Sequence, residues 1–167
     1  MNDQNRQAYF ETLENGQEFY FRDWSSNNIP KICAGVYTIW QDQKLIYVGM
    51  SGRSLSAEQI ETHCNNNSKA KGLFTRLKSH ASGRRSGDHF CVYVGDRLVL
   101  PLLSQVQIIK IGAGELSFDS LIKDFIHKNL TYRFVETPND ETAFFLEKEI
   151  RSGALKDGNP FLNPLQI

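Results

Sequence analysis

Two tyrosines, an arginine, a histidine and a glutamate offer this chain most of its chemistry. Tyr37 and Tyr47 stand in two short apolar runs, Gly35-Val36-Tyr37 and Tyr47-Val48-Gly49, on either side of the polar segment Gln41-Asp42-Gln43-Lys44. Strand tyrosines commonly serve packing, but each of these lies two residues from a glycine, where another group can approach closely. A phenol titrates near 10, so it acts as a base only where a metal or cation stabilises the phenolate. Arg76 and His80 are four apart, which on a helix places a permanent cation beside an imidazole. Phosphoryl transfer needs such a cation, because charge on the phosphoryl oxygens must be neutralised in the transition state; a solvated arginine and a structural histidine are the plainer alternative. Glu147 has Ala143, Phe144 and Ile150 at −4, −3 and +3, so its carboxylate sits in an apolar stripe. Such a carboxylate is costly unless it is ion-paired or binds a cation. One carboxylate with waters suits Mg²⁺, which takes few protein ligands. Glu149 reads as a surface acid.

These side chains need elements to hold them. Residues 32–40 and 44–50 read as a β-hairpin. A turn centred on Asp42 puts Tyr37 directly opposite Tyr47, with Ile39 and Leu45 on their face and Val36, Ile46 and Val48 on the other. A turn shifted by half a residue would separate the tyrosines. Residues 71–82 read as a helix, with Leu73, Leu77 and Ala81 as its buried stripe and Arg76 and His80 beside it. Thr137 as N-cap and Pro138 at the first position start a helix to about Ser152, with Gly153 beyond, and this helix carries Glu147. Elsewhere, 4–15 reads as a helix stopped by Gly16, 25–30 as a loop and 56–67 as a stretch holding a short helix. Residues 90–94 and 97–100 read as strands around a Gly95-Asp96 turn, 108–111 as another strand, 118–130 as a helix and 132–135 as a strand.

The whole is a single domain of 167 residues with enough apolar side chains, 40%, for a core. The formal net charge is zero, but from Thr62 to Gly87 there is no acid, while Lys69, Lys71, Arg76, Lys78, Arg84 and Arg85 fall inside. A basic face beside a phosphoryl-transfer site would favour a nucleic-acid backbone. Three scattered cysteines without a CxxC pair argue against a zinc site or a disulfide framework and for a reducing, cytoplasmic setting. The polar N-terminus is no secretory signal, and no run approaches the ~20 apolar residues of a membrane span.

In these residues the chain resembles the GIY-YIG nuclease superfamily. Gly35-Val36-Tyr37 and Tyr47-Val48-Gly49 match its hairpin with valine twice for isoleucine. Gly72 to His80 looks like its arginine helix in the Arg-x₃-His form. Ala143-Phe144-Phe145-Leu146-Glu147 looks like the helix of its metal-binding glutamate, and Pro160-Phe161-Leu162-Asn163-Pro164 is similar to its terminal Pro-x-x-Asn element. The resemblance covers about residues 32–167. It implies an α/β (α+β) fold with a small, mainly antiparallel central sheet flanked by helices. Residues 1–31 would be an N-terminal extension, 88–130 an insertion, and 54–70 a lengthened link.

The implied activity is hydrolysis of DNA through one Mg²⁺ or Mn²⁺ ion held by Glu147 and waters, with no nucleotide cofactor. Tyr37 would act as general base or orient the water, and Tyr47 and His80 would hydrogen-bond around the nucleophile. Arg76 would neutralise the phosphate, and Asn163 would support the metal side. Arg53, Lys69, Lys71, Lys78, Arg84 and Arg85 would contact the DNA backbone. Cutting both strands would call for a homodimer. A non-catalytic nucleic-acid-binding module on the same fold, and a protein in which the tyrosines and Glu147 only pack the core, are the alternatives.

Overall fold

A computed structural model describes residues 3–24 and 28–163. Residues 1–2 of the polar N-terminus, 25–27 of the loop before Pro30, and Pro164 of the terminal motif lie outside them. The element order is α1 (Asp3–Asn15), β1 (Phe19–Tyr20), β2 (Ile32–Gln41), β3 (Lys44–Ser51), α2 (Ala57–Asn65), β4 (Lys71–Gly72), α3 (Leu73–Ala81), α4 (His89–Val94), α5 (Gln105–Gly112), α6 (Phe118–Asn129), β5 (Leu130–Thr137) and α7 (Asp140–Arg151). The fold is mixed α and β, as expected. One antiparallel sheet runs in the order β1-β5-β2-β3, and β4 pairs in parallel with the start of β2. Helices cover both faces. Leu73, Leu77 and Ala81 of α3, with α4 and α6, pack on the face of Tyr37 and Ile39. Phe10 and Leu13 of α1, with Ala143, Leu146 and Ile150 of α7, pack on the face of Val36 and Val48.

The hairpin register differs from the expected one. The turn is the two-residue loop Asp42-Gln43, both with positive φ (48° and 66°), and Gln41 pairs with Lys44. Two left-handed residues match the right-handed strand twist, as in a type I′ turn. This is the half-residue shift that would part the tyrosines, but the ladder slips once between Ile39 and Trp40, leaving Ile46 as an extra residue. A bulge of this kind re-aims the side chains beyond it. Tyr47 therefore lies opposite Ile39 and Tyr37 opposite Gly49. The tyrosines do share a face, though not as a direct pair. Leu45 joins Val36 and Val48 on the other face, and Ile46 joins Ile39, the reverse of the expected assignment.

Helices replace every strand expected between 90 and 111. Residues 89–102 form one helical run of α4, a π-helical segment (Gly95–Val99) and a 3-10 turn (Leu100–Leu102). Its start is set by Asp88, whose side chain accepts from the Cys91 N–H. Gly95 is helical and buried rather than a turn, and an added Cβ would come within 2.7 Å of Ile122 Cδ1. Alpha5 forms behind a capping box of Ser104 and Gln107. Its β-branched residues Val106, Ile108 and Ile109 are exposed, so they pack no sheet. Alpha7 begins two residues later than expected: Asn139 is its N-cap, while Thr137 ends β5. None of the described helices is long and apolar enough to cross a membrane.

Candidate active site

A cleft of about 390 Å³ runs across the free edge of β3 and is walled from both helical layers. Tyr37, Tyr47 and Gly49 come from the hairpin, Arg76 and His80 from α3, Asp88 from the α4 cap, and Glu147 and Arg151 from α7. Two glycines explain how the elements close so tightly. At Gly35 an added Cβ would meet Leu73 Cδ1 at 2.6 Å and the Val135 carbonyl, so its absence lets α3 seat on the sheet. At Gly49 it would fall 2.5 Å from Tyr37 Cζ and closer still to its Oη, because the Tyr37 ring lies across the glycine from the opposite strand. The C-terminal tail closes the rest of the β3 edge, with Leu162 N–H donating to the Ile46 carbonyl at 2.7 Å.

His80 is the centre of a buried chain of hydrogen bonds. Its Nε2 lies 2.7 Å from Tyr37 Oη, and its Nδ1 lies 2.7 Å from Asp88 Oδ2. Asp88 Oδ2 also accepts from the Ser79 hydroxyl at 2.6 Å, and Oδ1 from the Cys91 N–H at 3.3 Å. An ionised carboxylate only accepts, so Nδ1 carries the ring proton and Nε2 accepts from the Tyr37 O–H. The ring is packed by Phe90 at 4.6 Å and Tyr37 at 5.4 Å, with Tyr47 edge-on at 6.0 Å. Burial keeps the imidazole's pKa below its ordinary 6.5, against the pull of the Asp88 carboxylate. Burial alone would raise the Asp88 pKa, but its bonds from His80, Ser79 and Cys91 outweigh it and lower the carboxyl below its ordinary 3.8. At neutral pH the pair is therefore a neutral imidazole on a carboxylate. Tyr37, 1% exposed, is raised well above 10 by burial and by Tyr47, with Arg76 acting the other way. Tyr47 is pushed by burial to about 12.

Glu147 is on the flank of α7 rather than in its apolar stripe, since Phe144 is exposed and Ala143, Leu146 and Ile150 form the stripe. It takes the ion pair left open for it: Arg151 Nη1 donates to Oε1 at 3.3 Å, one turn along the helix. Desolvation raises its pKa, opposed by Arg151 and Arg53. Glu149 pairs with Arg6 at 2.9 Å. Arg53, Arg76, Lys148 and Arg151 line the cleft against two acids, Asp88 and Glu147. A larger hollow of about 790 Å³ adjoins it, sharing Met50, Arg53 and Phe144, but its acids Asp3, Asp140, Glu141 and Glu149 make it a poor seat for phosphate.

Tyr37, Tyr47, Arg76, His80 and Glu147 are thus brought to one cleft, with Arg53 beside them. Asn163 is not among its walls. Its side chain acts as a strand substitute, Oδ1 accepting from Val48 N–H at 2.8 Å and Nδ2 donating to Val48 O at 2.9 Å. The expected place of His80 against the nucleophile is also corrected, because both its nitrogens are taken by Tyr37 and Asp88. Lys69, Lys71, Lys78, Arg84 and Arg85 are exposed and line none of this cleft. Lys71 bonds His63 at 2.9 Å, and Arg85 is paired with Asp119 at 2.7 Å, an acid that α6 brings to the acid-free stretch. Asp88, Lys148 and Arg151 escaped the sequence reading. A cap pattern at Asp88 ahead of an apolar run is the signal that could have found the first. Comparison with protein-family models, curated proteins and solved structures gave no match.

Proposed function

We propose that this chain is a metal-dependent DNA endonuclease of the GIY-YIG type, working in the cytoplasm, where its three free cysteines stay reduced. The observation that carries the reading is the convergence of Tyr37, Tyr47, Arg76, His80 and Glu147 on one cleft, although up to 110 positions separate them in the chain. Arg76, exposed at the mouth, meets the scissile phosphate, and Arg53, Lys148 and Arg151 extend the cation field along the strand. Tyr47 bounds the space beside Tyr37, where a water would sit.

Among the described residues no cluster of three or more His, Cys, Asp or Glu side chains could hold a metal ion. The single oxygen donor group of Glu147 fits a hard divalent ion that keeps most of its waters and takes its other oxygens from phosphate. When bound, Mg²⁺ or Mn²⁺ supplies charge neutralisation on the phosphate oxygens. Arg151, 3.3 Å from Oε1, favours the ionised carboxylate against the desolvation that raises its pKa.

Purified protein incubated with plasmid DNA and Mg²⁺ or Mn²⁺ tests the reading. Nicking that disappears with a chelator and falls at least 100-fold in Glu147→Ala and in Arg76→Ala supports it, a range general to oxyanion and acid–base groups (about 10²–10⁴). Cleavage that survives both substitutions sinks it. Salt-dependent DNA binding without cleavage in any metal would favour the non-catalytic module instead. Severing both strands at one site would require a second copy.

A further inference from the structure

We propose that Asp88 is a positioning residue: it fixes the His80 tautomer whose bare Nε2 takes the Tyr37 proton, so that His80 is the terminal proton acceptor during water attack. The inference rests on the nuclease reading above and deepens it. Tyr37 is too deeply buried to store a phenolate, yet its O–H already points at a free imidazole lone pair 2.7 Å away. A proton arriving at Nε2 makes an imidazolium among Phe90 and two tyrosines, where no water can solvate it. Asp88, 2.7 Å from Nδ1, supplies the counter-charge, and both side chains are 1% exposed. Its Oδ1 is tied to the Cys91 N–H and its Oδ2 is shared with the Ser79 hydroxyl, so the carboxylate cannot turn away.

The step balances. The attacking water gives a proton to Tyr37 Oη as Tyr37's own proton passes to His80 Nε2, and the water oxygen bonds to phosphorus. The P–O3′ bond breaks, and the 3′ oxygen takes a proton from a second water in the cleft. The hydroxide left behind recovers the His80 proton through Tyr37, and one water is consumed. Tyr37 is then a conduit that begins and ends as a phenol.

Asp88→Asn separates this from a merely structural cap. The Cys91 N–H demands the amide oxygen, which turns the NH₂ toward His80 Nδ1 and inverts the tautomer. The ¹⁵N ring resonances of His80, read through its carbon-bound protons, should show Nε2 unprotonated in the unmodified protein and protonated in the variant. With DNA, kcat should fall about 10²–10⁴-fold, the range for a positioned acid or base, while KM changes little. An unmodified protein carrying its proton on Nε2 overturns the assignment without any variant, so a poorly folding Asp88→Asn does not shield it. A variant with inverted tautomer and undiminished kcat overturns the proton route. If the unmodified protein cuts no DNA, the nuclease reading and the proton route fall together, whereas the ring spectrum still decides what Asp88 does to His80.

Discussion

A phenol raised well above 10 and held 2.7 Å from an imidazole is not a reservoir of base, and that decides what substitution of Tyr37 should do. Tyr37→Phe keeps the ring over Gly49 but leaves His80 Nε2 as a buried acceptor with its donor removed. That costs about 1–3 kcal/mol of stability, readable in urea unfolding, and DNA cleavage should fall at least about 100-fold. Cleavage within twofold of the unmodified protein would leave Tyr37 as packing. His80 makes a second expectation. Its pKa in the folded chain is held below 6.5 by burial. The unfolded chain therefore binds a proton near pH 6.5 that the folded chain refuses, so stability falls as pH drops below that value, by at most about 1.4 kcal/mol per pH unit for one proton. The fall continues until the folded ring also protonates. Asp88, depressed below 3.8, keeps its own contribution throughout this window. Unfolding at pH 7.5 and 5.5 should show a smaller loss in His80→Gln than in the unmodified protein; equal losses would mean that His80 is not held neutral.

The residue types were legible for a reason: phenol, guanidinium, imidazole and carboxylate at helical and hairpin spacing suit phosphate chemistry. Asp88 was not, because its role depends on a helix starting beside it. The apolar run Phe90–Val94 has the β-branched and aromatic look of a strand, and tertiary packing overrode that propensity.

At the level of elements, the bulge at Ile46 settles the geometry of the site. Parity alone parts the tyrosines for a two-residue turn, and a single inserted residue returns Tyr47 to the face of Tyr37. Nothing in the local sequence marks that bulge, since the tail that bonds the Ile46 carbonyl lies more than a hundred residues on. Alpha3, by contrast, was readable from the Leu73, Leu77, Ala81 period, because one amphipathic face meets one sheet. Two substitutions probe this level. Gly49→Ala places a methyl against the Tyr37 ring. It should cost about 1–3 kcal/mol by overpacking and lower cleavage far more than DNA affinity; unchanged melting and activity would contradict the packing of the ring on the glycine. Asn163→Ala removes both bonds to Val48. The edge should loosen by about 1–3 kcal/mol for the pair, while the Mg²⁺ concentration giving half-maximal cleavage stays the same. A tenfold rise in that concentration would restore Asn163 to the metal side.

Over the whole molecule, cations at the cleft stand out against a chain of zero net charge. Binding should therefore be local and salt-dependent. Each of Arg53→Ala and Lys148→Ala should make the slope of log affinity against log salt shallower by about one contact. Arg85→Ala should not, because Arg85 is paired with Asp119 and lines none of the cleft. That distribution was hidden in the sequence, where Lys148 and Arg151 lie on a different element from Arg76 and meet it only at the cleft, while the rest of the basic stretch stays outside.

The most direct measurement follows an end-labelled DNA duplex through a single turnover with Mg²⁺ and identifies the new termini. A 5′-phosphate and a 3′-hydroxyl are expected from the unmodified protein, with the rate reduced at least about 100-fold in Glu147→Ala and Arg76→Ala although both remain folded. Equal rates in all three proteins, or no cleavage by the unmodified protein with any divalent ion, would contradict it.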